Sequence, residues 1–438
     1  MKVAVKILDL YFLCWFLLAT VNGHPFPCTV NDSTPIVWLG GEQQAYDCKE
    51  DSPGCPYFGL DSICDDPDGG EFPPCVNGNK LLCASPPAVP LTNPTSVSTL
   101  RVLAYNILEV PYPTWQCGQR ERTCRIPHEV FRLHPDLDVI VFNELFQGGC
   151  FSMFDPAIDS SVLNFRDILT QLGFSHFTEN VGQPVQPPHL FNGGTFIASR
   201  WPIVRNDSHV YTAADNSTWE YLAAKGAVYA EIIKTVGKSM MTYHIVGTHM
   251  QSTDTPLSEK VRVKQAEEMR ILMEMQNISP NAPVIYAGDL NVINGTSHGT
   301  DVIDMLNATQ PSNIGEYMYT YHGPENDLVN HTEYLNDTGW IDYVLYSNNH
   351  LQPTNASVEV VRPQLAEPID ICVSANELIP IYATSNRCLR RIQTRDLSDH
   401  FGVLGVFKFS ENGTPSATDA IIDPLSIFLL TLLGILVN

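Results

Sequence analysis

Short apolar runs separated by turn residues recur along most of this chain. Over residues 99–410 the pattern predicts strands at 100–106, 139–143, 194–199, 226–233, 243–248, 284–288, 340–346 and 402–409. Residues 257–276 instead carry apolar side chains near the period of an amphipathic helix, at Leu257, Val261, Met269, Leu272 and Met273. Strands interspersed with helical segments predict a layered α/β domain.

The segment before this domain has a different character. Residues 24–84 show little apolar periodicity and contain six cysteines, Cys28, Cys48, Cys55, Cys64, Cys75 and Cys83. Because so short a stretch cannot bury a sufficient core, we expect a small module held by disulfides, whose pairing the sequence does not determine. Residues 85–98 are rich in proline and carry no charge, which predicts a linker.

Both ends of the chain resemble processing signals. Residues 1–23 combine a basic start, an apolar run and a small-residue cleavage region, which predicts a signal peptide; the alternative is a membrane anchor, but the run is short for a span. Residues 411–438 combine small residues, a polar spacer and an apolar tail. This predicts a GPI-anchor signal, with Asn412 favoured for attachment and Ser416 or Ala417 as alternatives. We therefore expect a protein on the extracellular face of a membrane.

Sequons and cysteines agree with export. Asn-x-Ser/Thr sequons begin at Asn31, Asn206, Asn216, Asn277, Asn294, Asn307, Asn330, Asn336, Asn355 and Asn412. Such sites lie in surface loops when they are glycosylated. Among the later cysteines, we expect disulfides between Cys117 and Cys124 and between Cys372 and Cys388. Cys150 is then unpaired or bonds to one of the first pair.

Charge disfavours one class of partner. The 438 residues include 25 Lys and Arg against 48 Asp and Glu, a formal net charge of -23. Because affinity for nucleic acids comes mainly from basic side chains that neutralise phosphates, we expect no nucleic-acid partner. An acidic surface is compatible with divalent cations. We expect a monomer.

Polar residues stand at the ends of several predicted strands. Asn106, Glu144, His249 and Asp289 end four strands, Asn291 follows closely, and Asp399-His400 precedes the last strand. An Asp after a strand is more often a helix cap or loop residue than a ligand, and a lone His is usually structural. The recurrence at one strand end after another favours a single site at the mouth of a sheet.

The short sequence motifs around these residues resemble those of a known superfamily. Tyr105-Asn106, Asn143-Glu144, Gly247-Thr-His249, Gly288-Asp-Leu-Asn291 and Ser398-Asp-His400 occur in the order seen in the endonuclease/exonuclease/phosphatase superfamily. Within it the chain is most similar to bacterial-type secreted neutral sphingomyelinases, through words such as Lys225-Gly-Ala-Val-Tyr229 and Gly247-Thr-His-Met-Gln251. The resemblance implies a four-layer α/β sandwich, two packed β-sheets flanked by helices, after the cysteine-rich N-terminal module.

The resemblance also implies a metal-dependent hydrolytic site. Glu144 is a hard oxygen ligand that suits Mg²⁺, with Mn²⁺ or Co²⁺ as substitutes, and Asn106 and Asp399 are the further metal candidates. The catalytic candidates are His400, Asp289, Asn291, His249 and Asp342. Asp289 would orient or deprotonate water, and Asn291 and His249 would donate to phosphoryl oxygens. His400, oriented by Asp342, would be the general base or an electrophilic donor.

Other residues have open interpretations. Lys225 is a candidate for binding the phosphate or headgroup, with an ordinary surface lysine as the alternative, and we expect Tyr105 in the core rather than the site. The bacterial proteins resemble one another in an aromatic hairpin that inserts into the bilayer. Candidates here are Trp115 with Tyr112 or Trp219 with Tyr221, with burial as the alternative.

The resemblance implies hydrolysis of membrane sphingomyelin to ceramide and phosphocholine. A secreted nuclease of the deoxyribonuclease type would use the same site, but the acidic charge argues against it. A phospholipase C acting on another phosphocholine lipid is a further alternative. A surface-anchored binding protein without activity is disfavoured, because Glu144, His249, Asp289, Asn291 and His400 are all intact.

Overall fold

Two large mixed β-sheets pack face to face in this protein, and helices cover their outer faces. The computed structural model describes residues 36–39, 55–66, 80–110, 117–146, 165–330, 332, 334–373 and 390–410. The predicted four-layer α/β sandwich is confirmed. The expected signal peptide and GPI signal lie outside the described residues, as do Tyr112, Trp115, Cys150 and Cys388. None of the described helices combines the length and the apolar character needed to cross a membrane.

Strands are numbered β1–β20 and α-helices α1–α5 in chain order. The seven-stranded sheet has the order β13 (Ser312–Asn313), β17 (Asn355–Val361), β20 (Gly402–Lys408), β4 (Thr99–Glu109), β5 (Val139–Leu145), β7 (Phe196–Ser199), β6 (His176–Phe177). The six-stranded sheet has the order β12 (Ala308–Thr309), β16 (Asp342–Ser347), β11 (Val284–Asp289), β10 (Ser239–His249), β9 (Gly226–Val236), β8 (Ile203–Val210).

Smaller elements complete the described parts of the fold. Three small sheets contain β1 (Ile36–Leu39), β3 (Lys80–Ala84) and β2 (Asp61–Asp66); β14 (Tyr321–His322) and β15 (Thr338–Gly339); and β18 (Gln364–Val373) and β19 (Arg390–Asp396). The α-helices are α1 (Gln119–Arg122), α2 (Arg125–Leu133), α3 (Phe165–Gln171), α4 (Pro256–Met275) and α5 (Ser297–Leu306), and 3-10 helices span Cys55–Phe58 and Trp219–Leu222.

The seven-stranded sheet is buried on both faces. Successive side chains of a strand point to opposite faces, and β4 divides its apolar residues accordingly. Val102 and Ala104 join the core between the two sheets, whereas Leu103 and Tyr105 join a second core formed with α2 and α3. Tyr105 is 1% exposed, so its predicted place in the core is confirmed. Continuous apolar runs such as that of β5 follow from this double burial.

The predicted amphipathic helix is present, but one residue assigned to its apolar face is exposed. Helix α4 begins after Thr255, whose side chain accepts a hydrogen bond from the backbone N–H of Ser258, and Pro256 occupies its first turn. Val261 is buried as expected, and Met269, Leu272 and Met273 join the core that contains the six-stranded sheet. Leu257 is 52% exposed, because it lies in the first turn, where Ser258 rather than Leu257 faces the protein.

The cysteine-rich segment packs onto the sandwich. A disulfide joins Cys55 to Cys83, as a disulfide-stapled segment requires, and both cysteines and Leu60 belong to the core beneath α2 and α3. Residues 85–98 contain no helix or strand, yet they are tied to the domain. The carbonyl of Val97 accepts a hydrogen bond from the Tyr243 hydroxyl at 2.5 Å. The predicted boundaries at 84 and 98 stay predictions.

The predicted disulfide between Cys117 and Cys124 is wrong. Cys117 is a buried free thiol, and its Sγ donates to the Leu108 carbonyl at 3.4 Å. Cys124 and Cys372 are both disulfide-bonded. The two cysteines are close in sequence but are not bonded to each other. Helix α1 lies between them, and the Arg122 side chain of that helix contacts the Cys117 thiol.

A buried ion pair supports the end of the sandwich opposite the candidate site. Lys234 Nζ lies 2.8 Å from the Asp138 carboxylate, and both side chains are 2% exposed. Lys234→Met leaves a buried carboxylate without its partner, so the free energy of unfolding falls by about 3–5 kcal/mol. Chemical denaturation measures this loss. The control is Lys238→Met, an exposed lysine in the β9–β10 turn, which should change stability little; equal effects of the two substitutions would contradict the role of the pair.

Candidate active site

Strand directions bring the predicted site residues to one edge of the sandwich. β4 and β5 are parallel, and so are β10 and β11, so each pair ends at the same edge. The register pairs His249 with Asp289, and Asp289 with Asp342 of the antiparallel strand β16. β20 is antiparallel to β4 and therefore starts at this edge, just after His400. The structure thus brings together residues that are up to 294 positions apart, from Asn106 to His400.

Asn106 connects the two sheets. Its Nδ2 donates to Glu144 Oε1 at 3.0 Å and to Asp289 Oδ2 at 3.2 Å, while its Oδ1 accepts from the backbone N–H of Leu108. In this orientation the amide nitrogen faces the acidic cluster, and the expected role of Asn106 as a metal ligand stays a prediction. Asn106 was also predicted to end its strand, but β4 continues to Glu109 after a register shift.

The backbone at Glu144 is held in an unusual conformation. Glu144 has φ 62°, a left-handed value that a residue with a Cβ rarely adopts. Gly194 supports it, because the Leu145 N–H donates to the Gly194 carbonyl and a Cβ at Gly194 would lie 3.0 Å from Glu144 Cα. Such strain is concentrated at functional sites, where the surrounding structure maintains it.

Asp289 is positioned by its neighbours in both sheets. Gly288 has φ +133°, and a Cβ there would lie 2.0 Å from the Thr248 carbonyl, so only glycine allows β11 to approach β10 this closely. The Asp289 N–H donates to Asn143 Oδ1 at 3.1 Å, and Asp289 Oδ1 accepts from the Asn291 N–H at 2.9 Å. Asn291 Nδ2 donates to the Met250 carbonyl at 3.2 Å, beside His249.

His400 and Asp342 form a buried dyad. His400 Nδ1 lies 2.8 Å from Asp342 Oδ2, the contact expected for an oriented histidine. The Thr320 hydroxyl accepts from the Asp342 N–H at 3.1 Å, and the ring of Tyr321 meets the imidazole edge-on, with centroids 5.3 Å apart. Next to the dyad, Oδ1 of the half-buried Asp399 lies 3.2 Å from the Ser398 hydroxyl oxygen.

Lys225 is a buried member of the site, so the alternative of an ordinary surface lysine is wrong. Its Nζ donates to Glu220 Oε2 at 2.8 Å, to the Met250 carbonyl at 2.9 Å and to His249 Nε2 at 3.1 Å. An ammonium group can only donate, so His249 Nε2 accepts and the ring proton resides on Nδ1. Nδ1 is buried and has no hydrogen-bond partner among the described residues. Nε2 is the ring nitrogen that faces the acidic cluster, 3.6 Å from Asp289 Oδ2 and 3.9 Å from Glu144 Oε1, so the expected donation from His249 to a phosphoryl oxygen stays a prediction.

Burial and crowding shift the acid–base behaviour of the cluster. Burial, together with Asp399, raises the pKa of Glu144, and burial, together with Asp342, raises the pKa of Asp289 to about 7. Burial and the Lys225 charge hold the pKa of His249 well below its usual value. Burial also opposes the charged form of His400, but Asp342 and Asp399 outweigh it and raise the pKa of His400 well above its usual value.

The donor set fits a divalent cation. Ligand atoms of Asp289, Asp342 and His400 lie within 4.8 Å of one another, and Asp342 Oδ1 is buried without a described hydrogen-bond partner. Glu144 and Asp399 add two carboxylates. Burial, and secondarily a neighbouring carboxylate, raises the pKa of Glu144 and of Asp289, and a bound cation would stabilise the charged form of both groups. Oxygen-rich sets of this kind suit Mg²⁺.

Several supporting residues were not identified from the sequence. Asn143, Glu220, Thr320 and Ser398 contact the predicted site residues through hydrogen bonds. Asn143 carried a usable signal, since it stands beside Glu144 at the end of an otherwise apolar strand. Ser398 is part of the quoted motif Ser398-Asp-His400, whereas Glu220 and Thr320 lie outside the quoted motifs, so no local pattern marks those two residues.

Of the two aromatic pairs considered as bilayer contacts, Trp219 with Tyr221 lies within the described residues. Trp219 is 59% exposed and Tyr221 is half-buried, so burial in the core does not account for Trp219. Glu220, between them, is the partner of Lys225. Trp219 therefore lies at the surface next to the active-site network.

Comparisons with known proteins agree with this geometry. No family model matches the chain. It is 28% identical over 326 residues to sphingomyelinase C of Leptospira interrogans, a match that covers 72% of this chain and 53% of that protein, so the chain spans about half the length of that relative. It is 26% identical over 321 residues to a Staphylococcus aureus protein named phospholipase C, a match that covers 69% of this chain and 86% of that protein.

A solved structure shares the fold. The crystal structure of a double mutant of beta toxin from Staphylococcus aureus, with bound magnesium ions, matches with a TM-score of 0.57 and 24% sequence identity over 71% of this chain and 99% of that chain. The resemblance inferred from the motif words is confirmed: the chain is similar to the bacterial sphingomyelinase C proteins and shares their two-sheet fold.

Proposed function

We propose that this chain is an exported, Mg²⁺-dependent phosphodiesterase that hydrolyses sphingomyelin to ceramide and phosphocholine. The observation that carries the proposal is the convergence of Glu144, Asp289 and the His400–Asp342 dyad at one edge of the sandwich. Sequence similarity to sphingomyelinase C over 326 residues supports the substrate class. A phospholipase C acting on another phosphocholine lipid is the second candidate, favoured by the similarity to the Staphylococcus aureus protein of that name.

Glu144, Asp399 and the acidic group around Asp289 would hold the cation. Bound there, Mg²⁺ would neutralise charge on the phosphoryl oxygens and ease departure of the leaving alkoxide. Asn106 holds Glu144 and Asp289 on either side of one amide nitrogen, which keeps two carboxylates close together despite their repulsion. This arrangement favours cation binding without a large rearrangement.

Side chains of the site would carry out the remaining chemical steps. Asp289 and the dyad lie opposite each other across β11 and β16, where either can orient water or accept its proton. Lys225 supplies a buried positive charge near Glu144 and Asp289, and its three protons go to Glu220, the Met250 carbonyl and His249 Nε2. This charge would stabilise the negative charge that develops on phosphorus-bound oxygens. Glu220 keeps Lys225 in place, because the Glu220 carboxylate also accepts from Gln251 Nε2 and the Ser252 N–H.

Surface chemistry supports export. The asparagines of the described sequons are all exposed, at Asn206, Asn216, Asn277, Asn294, Asn307, Asn330, Asn336 and Asn355. Together with the Cys55–Cys83 disulfide, this fits an oxidising compartment where glycans are attached. Tethering by a GPI anchor after cleavage near Asn412 is part of the proposal and rests on the sequence pattern of residues 411–438.

Substrate specificity and metal dependence can be tested together. Purified protein is incubated with sphingomyelin, phosphatidylcholine or DNA, with Mg²⁺ or EDTA, and headgroup or nucleotide release is measured. We expect phosphocholine from sphingomyelin only, lost with EDTA and reduced at least about 100-fold in Glu144→Gln, because a metal and its carboxylate supply several kcal/mol to the transition state. Release from phosphatidylcholine would favour the second candidate, and cleavage of DNA alone would overturn both.

The dyad predicts a change in pH dependence. Asp342→Asn removes a carboxylate that raises the pKa of His400, so that pKa falls and the limb of the kcat–pH profile that reports His400 moves to lower pH. If kcat rises with pH along this limb, His400 acts as a base in its neutral form. If kcat falls, His400 acts as a donor in its protonated form. We expect kcat to fall by about 10²–10⁴. A limb that stays in place, in protein shown to be folded by circular dichroism, would rule the dyad out.

The role of Lys225 can be separated from its buried charge. Lys225→Met should lower both stability and kcat, because Glu220 loses its partner and His249 loses its donor. The double variant Lys225→Met/Glu220→Gln removes the unpaired charge, so stability should recover while kcat stays low. Thermal unfolding and headgroup release measure the two effects. Recovery of both together would show that Lys225 is structural only.

A further inference from the structure

A buried arginine lies directly behind the active site. Arg122, the last residue of α1, is 0% exposed, although an arginine is almost never fully buried without a partner. Its described hydrogen bonds go to backbone carbonyls and one thiol rather than to a carboxylate. A rigid, planar group with five donors is suited to collect carbonyls from separate segments.

The carbonyls come from three chain segments. Arg122 Nη1 donates to the carbonyls of Ile107, at 3.1 Å, and Leu397. Nη2 donates to the Leu108 carbonyl at 2.8 Å, and Nε donates to the Cys117 carbonyl at 2.8 Å. One guanidinium therefore joins the end of β4 to the segment that precedes β20.

Both segments leave the regular sheet at this point. The register of β4 with β5 shifts after Asn106, Leu108 has φ 50°, and the pairing of β4 with β20 ends at Ala104 and Val403. Carbonyls next to such an interruption need donors from elsewhere, since buried backbone groups are almost always hydrogen-bonded. Arg122 supplies them where the sheet does not.

The two joined segments carry opposite sides of the site. Asn106 immediately precedes Ile107, and Asp399 and His400 follow Leu397 by two and three residues. A second, weaker link spans the same gap, because the Ser398 hydroxyl donates to the Asn106 carbonyl at 2.7 Å. Arg122 and Ser398 thus both bridge the segment that carries Asn106 and the segment that carries Asp399 and His400.

The turn that carries Arg122 is itself anchored. The Gly118 N–H donates to the Cys372 carbonyl at 2.9 Å, and the Cys372 N–H donates to Glu121 Oε1 at 3.1 Å. These bonds attach α1 to the Cys372 end of the β18–β19 ribbon, and the opposite end of the ribbon, at Asp396, leads directly into Leu397. Arg122 is therefore held by the ribbon on one side while it binds the site segments on the other.

We propose that Arg122 is a positioning residue that sets the distance between the Asn106 side of the active site and the Asp399–His400 side. It touches neither substrate nor metal and acts through the backbone of both segments. The kinetic test of this proposal rests on the proposed phosphodiesterase function. The test that measures Mg²⁺ binding does not.

The test compares Arg122→Lys with a matched control in the full chain. Lysine keeps the charge, but a single ammonium cannot span all three segments. We expect kcat on sphingomyelin to fall by about 10–100-fold with KM changed less than about threefold, because misplacement of about 1 Å can cost 100-fold. The rise in melting temperature produced by Mg²⁺ alone should shrink, since it reports affinity for the folded protein.

Lys234→Met is the control, because it breaks an equally buried interaction at the opposite end of the sandwich. It should lower the melting temperature while leaving kcat and the Mg²⁺-induced rise close to those of the unmodified chain. Arg122→Lys with unchanged kcat and an unchanged Mg²⁺-induced rise would overturn the proposal, even if its stability fell.

A milder variant decides the outcome if Arg122→Lys does not fold. Ser398→Ala removes the second link across the same gap, together with the contacts of that hydroxyl with Asp399 and the His400 N–H, and should lower kcat and the Mg²⁺-induced rise in the same direction. No change in either quantity would then overturn the proposal. If the unmodified chain releases no phosphocholine, the proposed function fails, and the Mg²⁺-induced rise in melting temperature still tests Arg122 independently.

Discussion

Two buried asparagines join the ends of the two β-sheets, and the candidate site depends on that junction. Asn143 of β5 donates to the Thr248 carbonyl and accepts from the Asp289 N–H, while Asn106 of β4 donates to carboxylates from both sheets. A neutral amide can serve several partners without adding charge, so it suits a place where acidic residues must be held close together. Without these bonds the sheets could slide and separate Glu144 from Asp289.

The junction holds buried acidic groups close together, and the rest of the site contributes groups that stabilise their negative charge. Burial disfavours the charged forms of Glu144 and Asp289, and their raised pKa values show that described hydrogen bonds only partly offset this. Lys225 contributes one buried positive charge, and its attachment to Glu220 sets the tautomer of His249. A divalent cation is the natural complement to what remains, which is why the acid cluster and the proposed metal dependence belong together.

Support for the site extends well beyond the residues that would do chemistry. The described part of the cysteine-rich segment packs beneath α2 and α3 through Cys55 and Cys83, so these residues contribute to the core of the main domain. Closer in, Arg122 and Ser398 bind the irregular backbone where β4 leaves the sheet and β20 begins. Irregular backbone at an active site requires such bonds, because no neighbouring strand can provide them.

The sequence by itself determined a layered α/β domain, most strands of the two large sheets and the residues at the strand ends, because apolar periodicity is a local property of the chain. The resemblance carried by the motifs implied the four-layer sandwich. It also suggested Lys225 without deciding between site and surface, and it paired Cys117 with Cys124 wrongly. Only the tertiary structure decided that Lys225 is buried against His249, that Asn106 turns its nitrogen to the carboxylates, and that Arg122 lies behind the site. These facts arise from contacts between distant segments, whose burial and hydrogen bonding leave no pattern in the neighbouring residues.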